Sequence, residues 1–482
     1  MELLNNLLVG ATYKKRIGEN NPHISSIHKD ILKVKNDSLF ISLKNDTEII
    51  NNAIENGAIV IVCKQIPEEL NLAVVYIETD DCLEIMSVIS TNYYGNPSKN
   101  LKIIGVTGTN GKTTTTTLLY KLFSSLGYKC SLIGTIQHII DNEVVESILT
   151  TPESIELNRL LRKSVEKGCI YVFMEVSSHA IYQKRINGIK FTGAVCTNVT
   201  HDHLDYHKTF ENYLNTKKLF FDLLPETAFS LSNYDDENGE YMLQNTNSSK
   251  KFYSILKNKS FDFSCEIISN TIDGLELLFN KNQPKRFKLI GEFNAYNLLA
   301  AYSSAICLGM ISENILEVLS KLDPPKGRLQ MYKTPKNNTI IIDYAHSPDA
   351  LEKVLSTIHK IKKKENKLIT VFGCSGDRDK TKRPIMGDVA VKNSNIVICT
   401  SAHPRSENPT NILNEVIPQN ESSILKKIVD RKEAIEFAIN ISEENDIILI
   451  AGKGHTKYEE INNKKYPCHD MTIVHEIFSY KS

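Results

Sequence analysis

An α/β protein of three domains, with mostly parallel sheets flanked by helices, is the fold class that the sequence predicts. Two observations carry this. The 482 residues exceed what one hydrophobic core holds, since domains usually run to about 100–200 residues. From about residue 98 onward, apolar β-branched runs alternate with segments of helical period, the pattern of strands joined by helical crossovers.

Residues 1–97 read as a small α/β domain. The opening MELLNNLLVGATYKKR is expected to be an amphipathic helix, because it lacks the basic lead and small-residue cleavage site of a signal peptide. Ser38–Leu43 and Ala58–Val62 are predicted strands, with a helix from Glu48 to Asn56 closed by Gly57. The turn-rich Gly95–Ser98 makes a linker.

Residues 98–330 form the second expected domain. It opens on a β-branched run (Ile103, Ile104, Val106) that breaks into Gly108-Thr109-Asn110-Gly111-Lys112-Thr113-Thr114. Leu118, Leu119, Leu122, Phe123 and Leu126 then recur at helical spacing. In residues 331–482, Thr339–Asp343, Leu368–Phe372, Ile396–Cys399 and Ile447–Ala451 are predicted strands, and the last three end in loops rich in Gly, Ser, His or charge. The lysine- and asparagine-rich stretches 245–259 and 360–367 are expected to be solvated loops or helix faces.

Lys+Arg (57) balance Asp+Glu (57), which argues against a nucleic-acid or membrane partner held by bulk electrostatics. No apolar run is long enough to span a bilayer. The ten cysteines are scattered without a C-x-x-C pair, which suits buried thiols in a reducing compartment. The expectation is a cytoplasmic monomer acting on small molecules.

Strand, glycine turn and helix aim backbone N–H groups and a helix N-terminus at phosphate oxygens, so the 101–126 stretch predicts ATP or a close relative as ligand. Lys112 is placed to reach the β- and γ-phosphates and the Thr113 hydroxyl to meet Mg²⁺. The strict G-x4-GK[ST] spacing fails, because its first glycine falls at Val106. The apolar strand Cys169–Met174 ends in Glu175, where a carboxylate suits magnesium; an ordinary strand-end Glu is the competing explanation. Thr197–His207 carries three histidines and two aspartates. Beside phosphates, His203 is more simply a second magnesium contact than a zinc ligand, and a surface cluster without a role is the alternative. Asn294 and Asn297 suit adenine recognition or helix capping. Gly373–Asp379 followed by Lys382-Arg383-Pro384, with Arg405 and Lys453 after other strands, gathers cations fit for a carboxylate-bearing substrate, or solvated loop charge. Taken alone, Lys217 reads as a solvated helix lysine.

The words GVTGTNGKTT, LTTPES, MEVSSHAIYQKRI, TNVTHDHLDYH, GEFNAYNLLAA, KGRLQ, IIDYAHSPDAL, VFGCSGDRDKTKRP and AGKGH resemble, in order, those of the Mur ligase family, and within it the tripeptide-forming branch. The resemblance implies a nucleotide-sugar-binding N-terminal domain, a central ATPase and a Rossmann-like C-terminal domain. It implies an ATP-dependent ligase that adds an amino acid to UDP-N-acetylmuramoyl-L-alanyl-D-glutamate through an acyl phosphate, in peptidoglycan precursor synthesis. Lys112, Mg²⁺ and Arg328 would then stabilise the transferring phosphoryl group. Lys217 would be carbamylated and bind the second magnesium, a modification that needs a neutral amine. Asp343 would bind the ribose and Asn294 the adenine. Thr150, Thr151, Ser177 and Arg185 would contact the acyl substrate, and Arg378, His403, Arg405, Gly452 and Thr456 the amino acid.

Some words depart from the family. Its Asp-Ser-Arg uridine word stands as Asp30-Ile31-Leu32, and the Gly-x3-Asp-Gly loop expected after Leu43 is missing. The Asp-Asn-Pro-Arg word used for diaminopimelate stands as Ala402-His403-Pro404-Arg405, and the Glu after GKGH is Thr456. These departures weigh against diaminopimelate and in part against a UDP-sugar. They motivate a second hypothesis, a paralogue that ligates an amino acid to another carboxylate. A catalytically dead binding protein and a folylpolyglutamate synthetase-like enzyme are further alternatives. The first fits poorly with the intact Lys112, Thr113, Glu175, His203 and Lys217, the second with the MEVSSHA and GDRD words.

Overall fold

The computed structural model describes residues 2–256, 261–280, 283–416 and 423–479. They fall into two compact units, the first running to Ser254 with short pieces from 261–263 and 300–311, the second holding the rest.

The first unit contains two larger sheets and a two-stranded antiparallel pairing of Glu2–Leu3 with His23–Ile24. One orders its strands Lys15–Ile17, Val75–Glu78, Ala58–Cys63, Ser38–Ile41 and Ser26–His28, parallel except for the Lys15–Ile17 edge. Alternation along each strand feeds two cores. Leu39, Ile41, Val60 and Val62 pack with Ile85 and Ile89 of helix Cys82–Tyr93, while Phe40, Ile61 and Tyr76 pack with Ile50 and Ala53 of helix Thr47–Glu55. The helix predicted at Glu48–Asn56 is there, capped by Asp46 and ended by Gly57 at φ +102°.

The other sheet of this unit orders Glu143–Val145, His138–Ile140, Cys130–Ile133, Tyr171–Glu175, Lys102–Thr107, Gly193–Cys196, Phe229–Asn233 and Ser249–Ser254. Its pairing is parallel from Cys130–Ile133 to Ser249–Ser254. Lys102–Thr107 lies between Tyr171–Glu175 and Gly193–Cys196, with Val106 opposite both Glu175 and Val195. The loops that follow these three strands therefore leave the sheet side by side. Ser249–Ser254 is a strand, and the solvated loop expected there is corrected: Tyr253 is fully buried and donates its hydroxyl to Cys196 O at 3.0 Å. The remainder of that stretch, 257–259, lies outside the described residues.

In the second unit, Phe263–Thr271, Gly274–Phe279 and Lys285–Phe287 pair antiparallel, interrupting the alternation that the sequence suggested. The main sheet orders Gln330–Lys333, Thr339–Asp343, Ile447–Ala451, Leu368–Phe372, Ile396–Cys399 and Leu425–Lys427, antiparallel only at Gln330–Lys333. All four strands predicted here form. Helices Pro348–Ile361 and Lys382–Lys392 cover one face, and Arg431–Ile441 and Asp470–Ser479 the other. Helix Glu292–Cys307 contains Asn294 and Asn297, so both are helical residues.

Under the strand ends of this sheet lies a buried ion pair. Arg431 Nε and Nη2 donate to Asp470 at 2.6 and 2.8 Å, and Arg431 also holds Ser401 O and Ala451 O, the chain just past two strands. Removing one partner of a buried pair leaves the other charge uncompensated, so Asp470→Ala is expected to cost about 3–5 kcal/mol. A lowered urea midpoint for this unit checks that.

Candidate active site

The Gly108–Thr113 loop is shaped by close approach. A Cβ on Gly108, whose φ is +138°, would lie 2.0 Å from Thr197 Oγ1, so only glycine fits. Thr197 donates to Asn110 O at 2.6 Å, and Asn198 Oδ1 accepts from Asn110 N at 3.0 Å. The loop after Gly193–Cys196 thus clamps the glycine turn. Gly111 at φ +89° then opens helix Lys112–Ser125, with Thr113 and Thr114 buried in its first turn.

Two lysines converge on one oxygen. Lys112 Nζ donates to Gly108 O at 2.7 Å and to Thr109 O at 2.8 Å. Lys217 Nζ donates to the same Gly108 O at 3.0 Å and lies 4.6 Å from the centre of the Tyr213 ring. Lys217 is 1 % exposed, which overturns its reading as a solvated lysine. Burial, then the Lys112 charge, push its pKa well below the ordinary lysine value. Both causes favour the neutral, nucleophilic form of the amine.

Opposite the lysines stands Glu175, 1 % exposed. Its carboxylate accepts from the Thr113 hydroxyl at 2.9 Å, the Thr135 N–H at 2.8 Å and the Thr135 hydroxyl at 3.0 Å. Those donors are neutral, so a buried carboxylate lies beside a hydroxyl with no cation from either partner. This all-oxygen set fits Mg²⁺. Among the described residues no group of three His, Cys, Asp or Glu side chains is arranged to hold a metal.

His203 stands in the left-handed region at φ +53°, its ring 4.9 Å from that of His179. Burial first lowers its pKa, favouring the neutral imidazole that a metal requires. Thr151 donates to Glu175 O at 2.7 Å and accepts from Ser177 N at 3.1 Å, while Arg185 Nη1 donates to Thr151 O at 2.8 Å. Thr150 Oγ1 lies 3.1 Å from Thr135 Oγ1. The predicted acyl-substrate residues therefore form one patch beside the carboxylate.

In the second unit, Asp343 accepts from Leu329 N at 2.8 Å and Ala345 N at 2.9 Å, and burial raises its pKa. The Arg328 guanidinium lies 4.8 Å from the Tyr344 ring, its buried Nε without a hydrogen-bond partner among the described residues. Asn294 donates to Ile290 O, just before the helix, at 2.8 Å and accepts from Asn297 at 2.9 Å, so both ends of its amide are engaged locally.

The cations after the later strands separate into two kinds. Arg378 is exposed, and Arg405 is half-buried, donating from Nη1 to Gly376 O at 2.9 Å. Arg383 is fully buried between Glu407 and Glu415 and also holds Ser375 O, which corrects its reading as a substrate cation. Gly452, at φ +105°, donates its N–H to Asp343 O at 3.2 Å, and Thr456 N bonds Lys453 O at 3.0 Å. Sequence reasoning missed Thr135, Tyr213, Glu407 and Glu460. The Gly-Thr at the end of strand Cys130–Ile133 was a usable signal for Thr135.

The Mur ligase middle domain profile matches residues 106–305, and the Mur ligase glutamate ligase domain profile matches 327–454. The UDP-N-acetylmuramoyl-L-alanyl-D-glutamate--2,6-diaminopimelate ligase of Bacteroides thetaiotaomicron is 46% identical, over 99% of this chain and 100% of its own. This chain belongs to the Mur ligase family. The Phocaeicola vulgatus protein of the same name is 44% identical over 99% of each chain. A solved structure of a ligase with that name superposes with a TM-score of 0.70 at 30% identity, covering 95% of both chains. The protein is thus an ATP-dependent, amide-forming Mur ligase of the tripeptide-forming branch, and uses ATP and Mg²⁺ as the family does.

Glu175→Gln removes the charge at nearly the same shape, with one oxygen left to accept from the threonines. ADP release is expected to fall by a factor on the order of 100 or more. A magnesium titration at saturating ATP checks this, with the requirement rising in the variant.

Proposed function

We propose that this Mur ligase joins 2,6-diaminopimelate to UDP-N-acetylmuramoyl-L-alanyl-D-glutamate during cytoplasmic peptidoglycan precursor synthesis. It works as a monomer, with domains at 1–97, 98–330 and 331–482. The observation that carries this is the cluster of Lys112, Lys217, Thr113 and Glu175 around one glycine loop. Relatives 44% and 46% identical across nearly their whole length supply the substrate names. The weight placed against diaminopimelate by Ala402 and Thr456 is set aside on that likeness.

The γ-phosphoryl group of ATP passes to the terminal glutamyl carboxylate, giving an acyl phosphate and ADP. The amino-acid amine attacks the acyl carbon, phosphate leaves, and the amine proton goes to solvent. Lys112 and the loop N–H groups orient the phosphates and hold their charge. Thr113, Glu175 and neutral His203 would hold magnesium, which when bound offsets phosphate charge. Thr150, Thr151, Ser177 and Arg185 orient the acyl group. Arg378, His403 and Arg405 take the amino acid, beside Gly452 and Thr456.

The lowered pKa of Lys217 favours the neutral amine that reacts with CO₂, and its carbamate would add an oxygen ligand beside Gly108. Carbon-13 bicarbonate is expected to give a carbamate resonance that Lys217→Ala lacks. Ligation in that variant falls by a factor on the order of 100 or more while ATP binding persists. Acid pH protonates the amine, so the resonance fades as pH falls.

One observation favours the second hypothesis, ligation to a different carboxylate. Leu32 is 90% exposed, and Asp30 spends its carboxylate capping its own turn through Leu32 N at 3.1 Å. The polar uridine word has no counterpart there. ADP release that requires both the UDP-muramoyl dipeptide and diaminopimelate is the expected outcome. ATP binding without turnover on that pair would transfer support to the second hypothesis.

A further inference from the structure

2,6-Diaminopimelate carries an α-amino-acid group at each end. One amine reacts, so the other end arrives as an intact zwitterion. A zwitterion is recognised best by a fixed acid and a fixed base side by side, each facing its opposite. Thr456, where the family carries an acid, supplies no charge.

The second unit holds such a pair. Arg405 Nε lies 3.1 Å from Glu460 Oε2, the side chains 22% and 30% exposed. The backbone fixes the two together. Arg405 N donates to Glu460 O at 2.9 Å and Asn462 N to Arg405 O at 2.8 Å, so strand Tyr458–Ile461 is bridged to the loop after Ile396–Cys399. Arg405 is held at φ +53°, an unusual conformation for an arginine. Its Nη1 is tied to Gly376 O at 2.9 Å, while Nη2 makes no hydrogen bond among the described residues. Glu460 N donates to His403 Nδ1 at 3.2 Å, which leaves the proton of a neutral ring on Nε2 as a donor. Burial lowers the His403 pKa to about 4, so the ring adds no positive charge to repel an ammonium. The neighbouring Glu459 is bonded to Ser401, leaving Glu460 as the acid that faces Arg405.

We propose that Glu460 is a specificity-determining residue that receives the distal ammonium of the amino acid, while Arg405 and His403 receive the distal carboxylate. This rests on the ligase function proposed above. The substrate's two charges replace the internal Arg405–Glu460 contact with two external ones. An amino acid without the distal amine leaves Glu460 on Arg405 and competes less well.

The experiment measures ADP release with Mg-ATP and the UDP-muramoyl dipeptide, using diaminopimelate and its analogue that lacks only the distal amine. Glu460→Gln is expected to raise KM for diaminopimelate by a factor on the order of 10–100. kcat stays nearly unchanged and KM for the analogue falls as Arg405 is released, so discrimination between the two collapses. Glu460→Asp keeps part of that discrimination. If both KM values rise together, Glu460 only orients Arg405 and the proposal is overturned; unchanged KM values overturn it as well. Absence of turnover with either amino acid in the unaltered protein defeats the ligase function itself, a result distinguishable from failure of Glu460 alone.

Discussion

Two lysine amines share the carbonyl oxygen of Gly108, and much of the site in the first unit follows from that crowding. Lys112 lies 2.7 Å and Lys217 3.0 Å from the same atom. Burial, and then the repulsion between two positive charges at that spacing, lower the pKa of Lys217 and favour its neutral form. That shift is a consequence of where helix Phe210–Asp222 docks. Across the loop, the buried Glu175 carboxylate faces donors that carry no charge. Phosphate with its magnesium is a ligand of matching composition, offering oxygen to the lysine and a cation to the carboxylate. Parallel pairing puts these groups together, since the loops of three adjacent strands emerge from one edge.

The second unit solves a different problem: holding exposed cations still. Arg383 and Glu407 form a buried clamp. Glu407 also accepts from Asp377 N at 2.6 Å, tying the Gly373–Asp379 loop to the His403–Arg405 loop. Arg431 and Asp470 brace the same strand ends from beneath. Such ion pairs gain little net stability over apolar packing. Their value lies in fixing loop geometry, so that Arg405 meets its ligand with little entropy left to lose.

Much of this was legible in the sequence wherever periodicity and loop chemistry coincide. The strand Lys102–Thr107, its glycine turn and its helix followed from β-branched residues, two glycines and a leucine repeat. Four of the six strands of the C-terminal sheet followed from short isoleucine- and leucine-rich runs. Lys217 was misjudged, although it lies on the stripe of Tyr213, Phe220, Phe221 and Leu224 that faces the core. A lysine within an apolar stripe was the available signal. Ser249–Ser254 was hidden by its two lysines, of which Lys250 is exposed, and by Tyr253, whose partner Cys196 is distant in sequence. Glu460 depends on the register of a hairpin against a distant loop, and no local pattern encodes that.

The central claim is that the charges around Gly108 serve the transfer of a phosphoryl group to a carboxylate. An acyl phosphate breaks so that one carboxylate oxygen departs with the phosphate. The direct measurement gives the enzyme Mg-ATP, diaminopimelate and a UDP-muramoyl dipeptide whose terminal carboxylate carries heavy oxygen, and then weighs the released phosphate. One heavy oxygen in each phosphate is the predicted result. Phosphate without the label, released as the amide forms, would contradict the account.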